Sequence, residues 1–260
     1  MTSGQYLLCH QEDKPPASCN QDVTNLFGQL TSQGITWAEW NESMPAPCYL
    51  VNAGSSKTFT SYKVKHNPAV YYANPEGANG TWGTLDGLQG TGPDCLNNVI
   101  STGAYSPNVI GNDTSVLDAA LLNGTVPQFN YIIPNQCEDA HDNCAPTNNR
   151  VLQFDQFLQH EVPKILNSPA FTGDPNAVLI VTYDEGNGAG PHNADQQPPG
   201  FGGGNIEFAV LGPLAHVATY TSLHNQYGLL RTLEDGFGIT THPAGAGDPT
   251  PPINEIWNNN

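Results

Sequence analysis

The sequence predicts an α/β fold: a mostly parallel central sheet with helices on both faces, joined by long Gly/Pro-rich loops. Three observations carry this. Short apolar runs, at 129–133 and 177–181, alternate with segments of helical spacing. The second run is β-branched and uniformly apolar, as expected of a strand covered on both faces. Glycine (27) and proline (22) are abundant and crowd the stretches between the periodic segments. A chain of 260 residues can bury a sizeable core, and no linker or internal repeat divides it, so 1–260 reads as one domain.

Taken in order, residues 1–19 read as loop. Asn20 is placed to cap a helix through Val23, Leu26, Phe27 and Leu30, with Gly34 as its stop. Residues 35–40 alternate like a strand. Residues 41–112, rich in Gly, Asn, Pro and Tyr, predict irregular structure with brief strands or helical turns. Thr114 is placed to cap a helix over 115–123 that Gly124 closes. A strand at 129–133 ends at Pro134. Leu152, Phe154, Phe157 and Leu158 give 149–166 a helical spacing, which Pro163 should bend or end. A strand over 177–183, a Gly/Pro-rich loop to Gly204 and a strand over 206–211 follow. The last helix, 222–237, carries Leu223, Tyr227, Leu230 and Leu233 as its apolar stripe.

Composition narrows the function. A net charge of −17, from 24 acidic and 7 basic residues, argues against nucleic acid or an anionic membrane surface as partner. No window is long and apolar enough for stable membrane insertion. Three of the bases, Lys57, Lys63 and Lys65, fall within nine residues, a local positive patch able to draw in an anionic substrate. Six cysteines form no CxxC or zinc spacing. Cys9/Cys19, Cys137/Cys144 and Cys48/Cys95 are one pairing among fifteen. Sequons start at Asn41, Asn79, Asn112 and Asn123. Paired cysteines, few lysines and an acidic surface suggest an extracellular or periplasmic protein. No signal peptide precedes them, as expected of a mature or trimmed chain.

The candidate chemistry lies where strands end. The strand over 177–183 runs into Asp184 and Glu185, then Gly186. Adjacent carboxylates repel unless a positive charge sits between them, and a divalent cation takes oxygen ligands from Asp and Glu. The alternative is a solvated acidic turn. A second polar cluster, Pro134-Asn135-Gln136-Cys137-Glu138-Asp139-Ala140-His141-Asp142, follows the strand at 129–133. Two such clusters after two buried strands would share one rim of a sheet. Asp139 or Asp142 is placed to orient His141 as acid, base or phosphate donor. Lys65-His66-Asn67-Pro68 holds a histidine out of regular structure, facing a pocket or lying in a surface turn. The glycine-rich loop 186–204, with His192, suits a lid. Arg231, Glu234 and Asp235 suit structural ion pairs. There is no GxSxG, HExxH, Walker or dinucleotide-binding motif.

In order along the chain, Trp37-Ala38-Glu39-Trp40-Asn41-Glu42-Ser43-Met44-Pro45, Lys65-His66-Asn67-Pro68, the 134–142 cluster, Thr182-Tyr183-Asp184-Glu185-Gly186 and Leu229-Leu230-Arg231-Thr232-Leu233-Glu234-Asp235 resemble the phosphoesterase family. These are bacterial acid phosphatases and phospholipases C of the alkaline-phosphatase-like superfamily. The resemblance runs over roughly residues 2 to 257. It implies metal-assisted hydrolysis of a small phosphate ester, with Asp184 and Glu185 as ligands of a divalent metal ion. His66 and His141 would act as the catalytic groups on the phosphate, His141 also protonating the leaving alcohol. Lys65, Asn67 and Asp139 would serve in substrate binding.

The resemblance also implies an earlier strand with a Glu-Asn ligand pair and a Ser or Thr nucleophile. The chain opens at Thr2-Ser3-Gly4, where that segment would end, and is expected to be N-terminally truncated relative to the family. The leading expectation is therefore a secreted phosphate-monoester hydrolase. The alternatives are a phospholipase C-type phosphodiesterase, or a binding or structural protein that keeps the fold without the nucleophile.

Overall fold

The computed structural model describes residues 1–5, 13–54, 61–72, 90, 92–106, 113–186, 204–247 and 249–258. The chain falls into two compact units: Leu7–Ala170, and Met1–Tyr6 with Phe171–Asn260.

The first unit carries α1 (Leu26–Ser32), β1 (Trp37–Asn41), an antiparallel pair β2 (Ala53–Gly54) and β3 (Ser61–Tyr62), α2 (Pro93–Asn98), β4 (Val99–Ser101), α3 (Ser115–Asn123), β5 (Phe129–Ile133) and α4 (Arg150–Leu166). Its main sheet is parallel, in the order β4-β1-β5, with Glu39 of the central strand opposite Val99 and Tyr131. Side chains alternate along β1. Ala38 and Trp40 pack against Leu117 and Leu121 of α3, backed by Ile132 and Ile165. Trp37 serves the other face, with its ring 4.7 Å from that of Phe27 in α1 and its indole N–H donating to Thr31 Oγ1 at 2.9 Å. Helices thus cover both faces of a parallel sheet, the architecture that the alternation of apolar runs and helical segments predicts.

Local chemistry moves several helix starts. α1 begins at Leu26 because Asn25, not Asn20, takes the cap: its Oδ1 accepts the Gly28 N–H at 3.1 Å. Asn25→Ala is expected to cost about 1 kcal/mol. It should read as a lower urea midpoint with unchanged slope, and an unmoved midpoint would refute the assignment. Thr114 precedes α3 without capping it. Its hydroxyl donates instead to the buried Glu161 Oε1 of α4 at 2.7 Å, while Asp113 Oδ1 accepts from the Ser115 N–H and hydroxyl. That pair of bonds, led by the hydroxyl, lowers the Asp113 carboxyl below its ordinary range. Gly124 closes α3 with φ +64°, the left-handed region that favours glycine. Pro163 neither ends nor interrupts α4. It stands in the last turn, where only one N–H bond is forfeited, and its own carbonyl accepts from Asn167.

Two disulfides are formed as anticipated, Cys48–Cys95 and Cys137–Cys144. Cys9 lies outside the described residues, and so does the proposed Cys9/Cys19 pair. Of the sequons, Asn41 is buried in β1, where its amide donates to Glu39 Oε1, and cannot present itself for glycosylation in the folded chain. Asn123 is exposed at the end of α3. Asn79 and Asn112 lie outside the described residues.

After the single turn α5 (Pro169–Thr172), the second unit carries β6 (Leu179–Thr182), β7 (Phe208–Leu211) and α6 (Gln226–Gly236). β6 pairs antiparallel with β7 in a two-stranded sheet. All four residues of β6 are half-buried rather than covered on both faces. The reason is local: Ile180, Phe208 and Val210 pack on the core of Leu229, Ile253 and Ile256. α6 starts at Gln226, not 222, because Asn225 Oδ1 accepts from both Tyr227 N and Gly228 N. Leu223, expected on the apolar stripe, therefore precedes the helix and is exposed. Arg231 pairs with Asp235, and His242 bridges Glu234 (2.7 Å) and Asp235 (3.3 Å), the structural ion pairs anticipated for this motif.

Candidate functional site

The first unit brings His66, Asp139, His141 and Asp142 together beyond the carboxyl ends of its parallel strands. Three hydrogen-bonded ties build the place. β1 runs on into Glu42 and Ser43, and β5 into Asn135. Glu42 Oε2 accepts the Asn135 N–H at 2.9 Å, and Ser43 Oγ accepts the Asn135 side-chain N–H at 3.2 Å. Ser43 adopts φ +62° to do so, a left-handed conformation that its short side chain tolerates poorly without such fixing. The Gln136 N–H then donates to Ser61 O of β3, which fastens the post-β5 loop to the segment that leads into His66.

His66 sits at the end of a 3-10 turn, Val64–His66, directly before the turn Pro68–Tyr71. The intervening Asn67, at φ −100° and ψ 89°, stays out of the helical region that the following proline disfavours. The second turn is pinned at its Ala69 N–H by Glu39 Oε2 at 3.1 Å. His66 Nδ1 faces Asp139 Oδ2 at 3.5 Å, and the other oxygen of the same carboxylate accepts the His141 backbone N–H at 2.8 Å. Asp139 therefore joins the two histidine segments. His141 Nδ1 lies 2.8 Å from Asp142 Oδ1 and 3.1 Å from the Gln136 amide, with its ring largely exposed. Of the two aspartates weighed from sequence, Asp142 engages the His141 ring, and Asp139 engages its backbone.

Three residues expected to contact substrate are committed elsewhere. Asn67 is fully buried, with Nδ2 donating to Tyr62 Oη at 2.8 Å and to Met44 Sδ at 3.7 Å. The chain reversal at Pro68 turns it into the core, so it is scaffold rather than substrate ligand. Asp139 is a tie between histidines. Lys65 Nζ pairs with both oxygens of Asp13 at 3.1 Å, on the exposed surface. Lys57, its companion in the basic patch, lies outside the described residues.

Asp184 and Glu185 belong to the second unit, just past β6. Both are exposed, and Asp184 Oδ1 accepts the Glu185 N–H at 2.9 Å. The loop is held to α6 by Gln226 Nε2, which donates to Tyr183 O at 2.7 Å. Among the described residues β5 pairs within the sheet of the first unit and β6 pairs with β7 in the second. The pair offers two hard, water-facing oxygen donors, a chemistry that fits a divalent cation. Among the described residues no third His, Cys, Asp or Glu completes a group of three. Residues 187–203, with His192 and most of the glycine-rich loop, lie outside the described residues.

Sequence reasoning missed Glu39, Glu42, Asn135 and the α4 residue Gln153. Asn135 could have been found as the first polar residue after a buried strand. The others act through contacts far along the chain.

Comparison with known proteins bears on this arrangement. The model of the phosphoesterase family matches residues 97–240, which include Asp139, His141, Asp142, Asp184 and Glu185 but not His66. A phosphate-repressible acid phosphatase from Penicillium chrysogenum is 27% identical over 166 residues, 64% of this chain and 32% of that protein. An acid phosphatase from Aspergillus fumigatus is 24% identical over 166 residues, covering 63% and 30%. A probable acid phosphatase from Kluyveromyces lactis is 24% identical over 179 residues, covering 65% and 32%. The chain spans about a third of the length of these relatives.

Proposed function

This chain belongs to the phosphoesterase family, and from that premise we propose that it hydrolyses small phosphate monoesters in the manner of an acid phosphatase. The observation that carries the reading is the pair of histidines locked to carboxylates, His66 to Asp139 and His141 to Asp142. A carboxylate at Nδ1 holds an imidazole in one orientation and stabilises its protonated form. Two rings so held would donate hydrogen bonds to phosphate oxygens, and more strongly as charge grows on them. The exposed ring of His141 is placed to deliver its proton to the departing alkoxide as the P–O ester bond breaks and water supplies the replacing oxygen. By the family resemblance Asp184 and Glu185, in the second unit, would hold a divalent cation, which when bound supplies Lewis-acid chemistry. The two disulfides favour an oxidising compartment outside the cytoplasm, and the net charge of −17 suits an exposed, soluble surface there.

The test is turnover of p-nitrophenyl phosphate by the chain, with and without EDTA, beside bis(p-nitrophenyl) phosphate. Monoester turnover that EDTA abolishes is expected. Diester turnover alone would favour a phosphodiesterase, and neither would refute the reading. Asp184→Asn should raise the metal concentration for half activity by more than the roughly 10–100-fold that loss of an outer-sphere partner costs. An unchanged metal requirement would remove Asp184 from the site.

A further inference from the structure

We propose that Gln153 is the positioning residue of this site: a buried amide on α4 that fixes the loop carrying Asp139, His141 and Asp142. The inference rests on the functional reading above for its kinetic arm only.

Cys137 and Cys144 close a ring around the three site residues. A disulfide joins the two ends of that ring but leaves the backbone between them free to rearrange. Gln153, almost fully buried, makes four hydrogen bonds to the ring and its exit. Its Oε1 accepts from Cys144 N at 3.0 Å and from Asn149 N at 3.2 Å. Its Nε2 donates to Cys137 O and, at 3.1 Å, to Asp142 O. Both ends of the ring and the peptide after Asp142 are therefore held by one side chain.

The chemistry requires an amide. Two backbone N–H groups need acceptors and two carbonyls need donors, and a primary amide is the uncharged side chain that supplies both lone pairs and both hydrogens. Because each partner is a backbone group of known polarity, the orientation of the amide is fixed by the network itself. A carboxylate would face two carbonyls with no hydrogen to give, and an apolar side chain would leave four backbone groups unmet. The rest of the α4 start adds to the grip: Arg150 N donates to Asn143 Oδ1 at 2.9 Å and Arg150 Nη1 to His141 O at 3.5 Å.

The consequence is geometric. If the ring slackens, Asp142 loses its place at His141 Nδ1 and Asp139 its place between the two histidines. A misplacement of about 1 Å at reacting groups costs on the order of 100-fold. Gln153→Leu is expected to lower kcat by about 10–100-fold with KM little changed. Gln153→Glu should lose as much at neutral pH but recover toward wild type at acid pH, where the introduced carboxyl is protonated and regains a donor. The ratio to wild type is what is read, so that pH effects common to both proteins cancel. Gln159→Leu, a change at an exposed position of the same helix that bonds only Asp155, is the control and should match wild type.

The arm that needs no turnover is ¹⁵N spectroscopy of the imidazole of His141. Wild type should show a single tautomer, fixed by Asp142 and Gln136 at Nδ1, and both Gln153 variants a tautomer mixture, with far-ultraviolet circular dichroism confirming that they fold. Loss of the tautomer signature in an inactive wild-type background supports the positioning role while refuting the phosphatase reading. An unchanged tautomer together with unchanged kcat in a folded Gln153→Leu variant overturns the proposal. If that variant does not fold, an absence of acid recovery in Gln153→Glu overturns it instead.

Discussion

His141→Ala is expected to lower kcat for a phosphate monoester by about 10²- to 10⁴-fold, the range that a positioned general acid contributes. The figure follows from where the ring stands. Nδ1 is committed to Asp142 at 2.8 Å, and the ring is exposed, so its other nitrogen is the one that meets a ligand. KM should change less, because the loss falls on a proton delivered in the transition state rather than on binding. The variant should also lose the limb of the pH–rate profile that reports a proton donor. Asp142→Asn is the informative companion, since it keeps the shape of the partner but removes its charge. It should give a smaller loss in kcat and a displaced rather than a missing limb. Asp139→Asn should fall between the two, because that carboxylate touches the His66 ring and the His141 backbone at once. A His141→Ala variant with wild-type kcat and an intact profile would remove the ring from the chemistry. An inactive wild type would fail at the earlier step and leave the role of His141 unassigned.

Parts of this molecule that depend on neighbours in sequence were legible there. β5 and α3 fall where the apolar pattern and Gly124 place them, because amphipathic spacing and a left-handed closing residue are local properties. Helix starts were less legible, since several asparagines compete for one cap. Asn25 wins over Asn20 because its oxygen lies within reach of the first free N–H groups once Phe27 has docked on Trp37. The histidines could be picked out by type and setting. Their partners could not, because Asp139 reaches His66 across 73 positions of chain, a pairing that only the β5 register and the Ser61–Gln136 tie bring about. Asn67 misled for the opposite reason: adjacency to His66 in sequence says nothing about direction, and the proline after it turns the side chain inward. Gln153 left no trace at all in the pattern, since a glutamine on a helix is ordinarily a surface residue.

Glu39 should make this protein more stable at acid than at neutral pH. It is fully buried in the central strand, on the face shared with Trp37. Burial, the dominant cause, raises its carboxyl from the ordinary 4.5 to about 8, and hydrogen bonds from Asn41 Nδ2 and Ala69 N offset only part of that. Because the folded value lies above the unfolded one, the protonated form is the one that folding favours. The resulting stability is fully present below about pH 4.5 and is lost as pH rises toward 8. The difference amounts to an order of 3–5 kcal/mol across that window. The neutral carboxyl has a hydrogen to place, and Asn41 Oδ1 is buried without a partner in the structure, so turning over that amide supplies the acceptor. Glu39→Gln is uncharged, with donor and acceptor both present at every pH, and should therefore fold without the penalty. Urea unfolding of both proteins between pH 5 and 8.5 isolates the effect, since every other ionisable group is common to the two. The stability difference should favour Glu39→Gln increasingly toward pH 8 and vanish near pH 5. Parallel curves would show that Glu39 is ionised in the fold, held by charge rather than by neutrality.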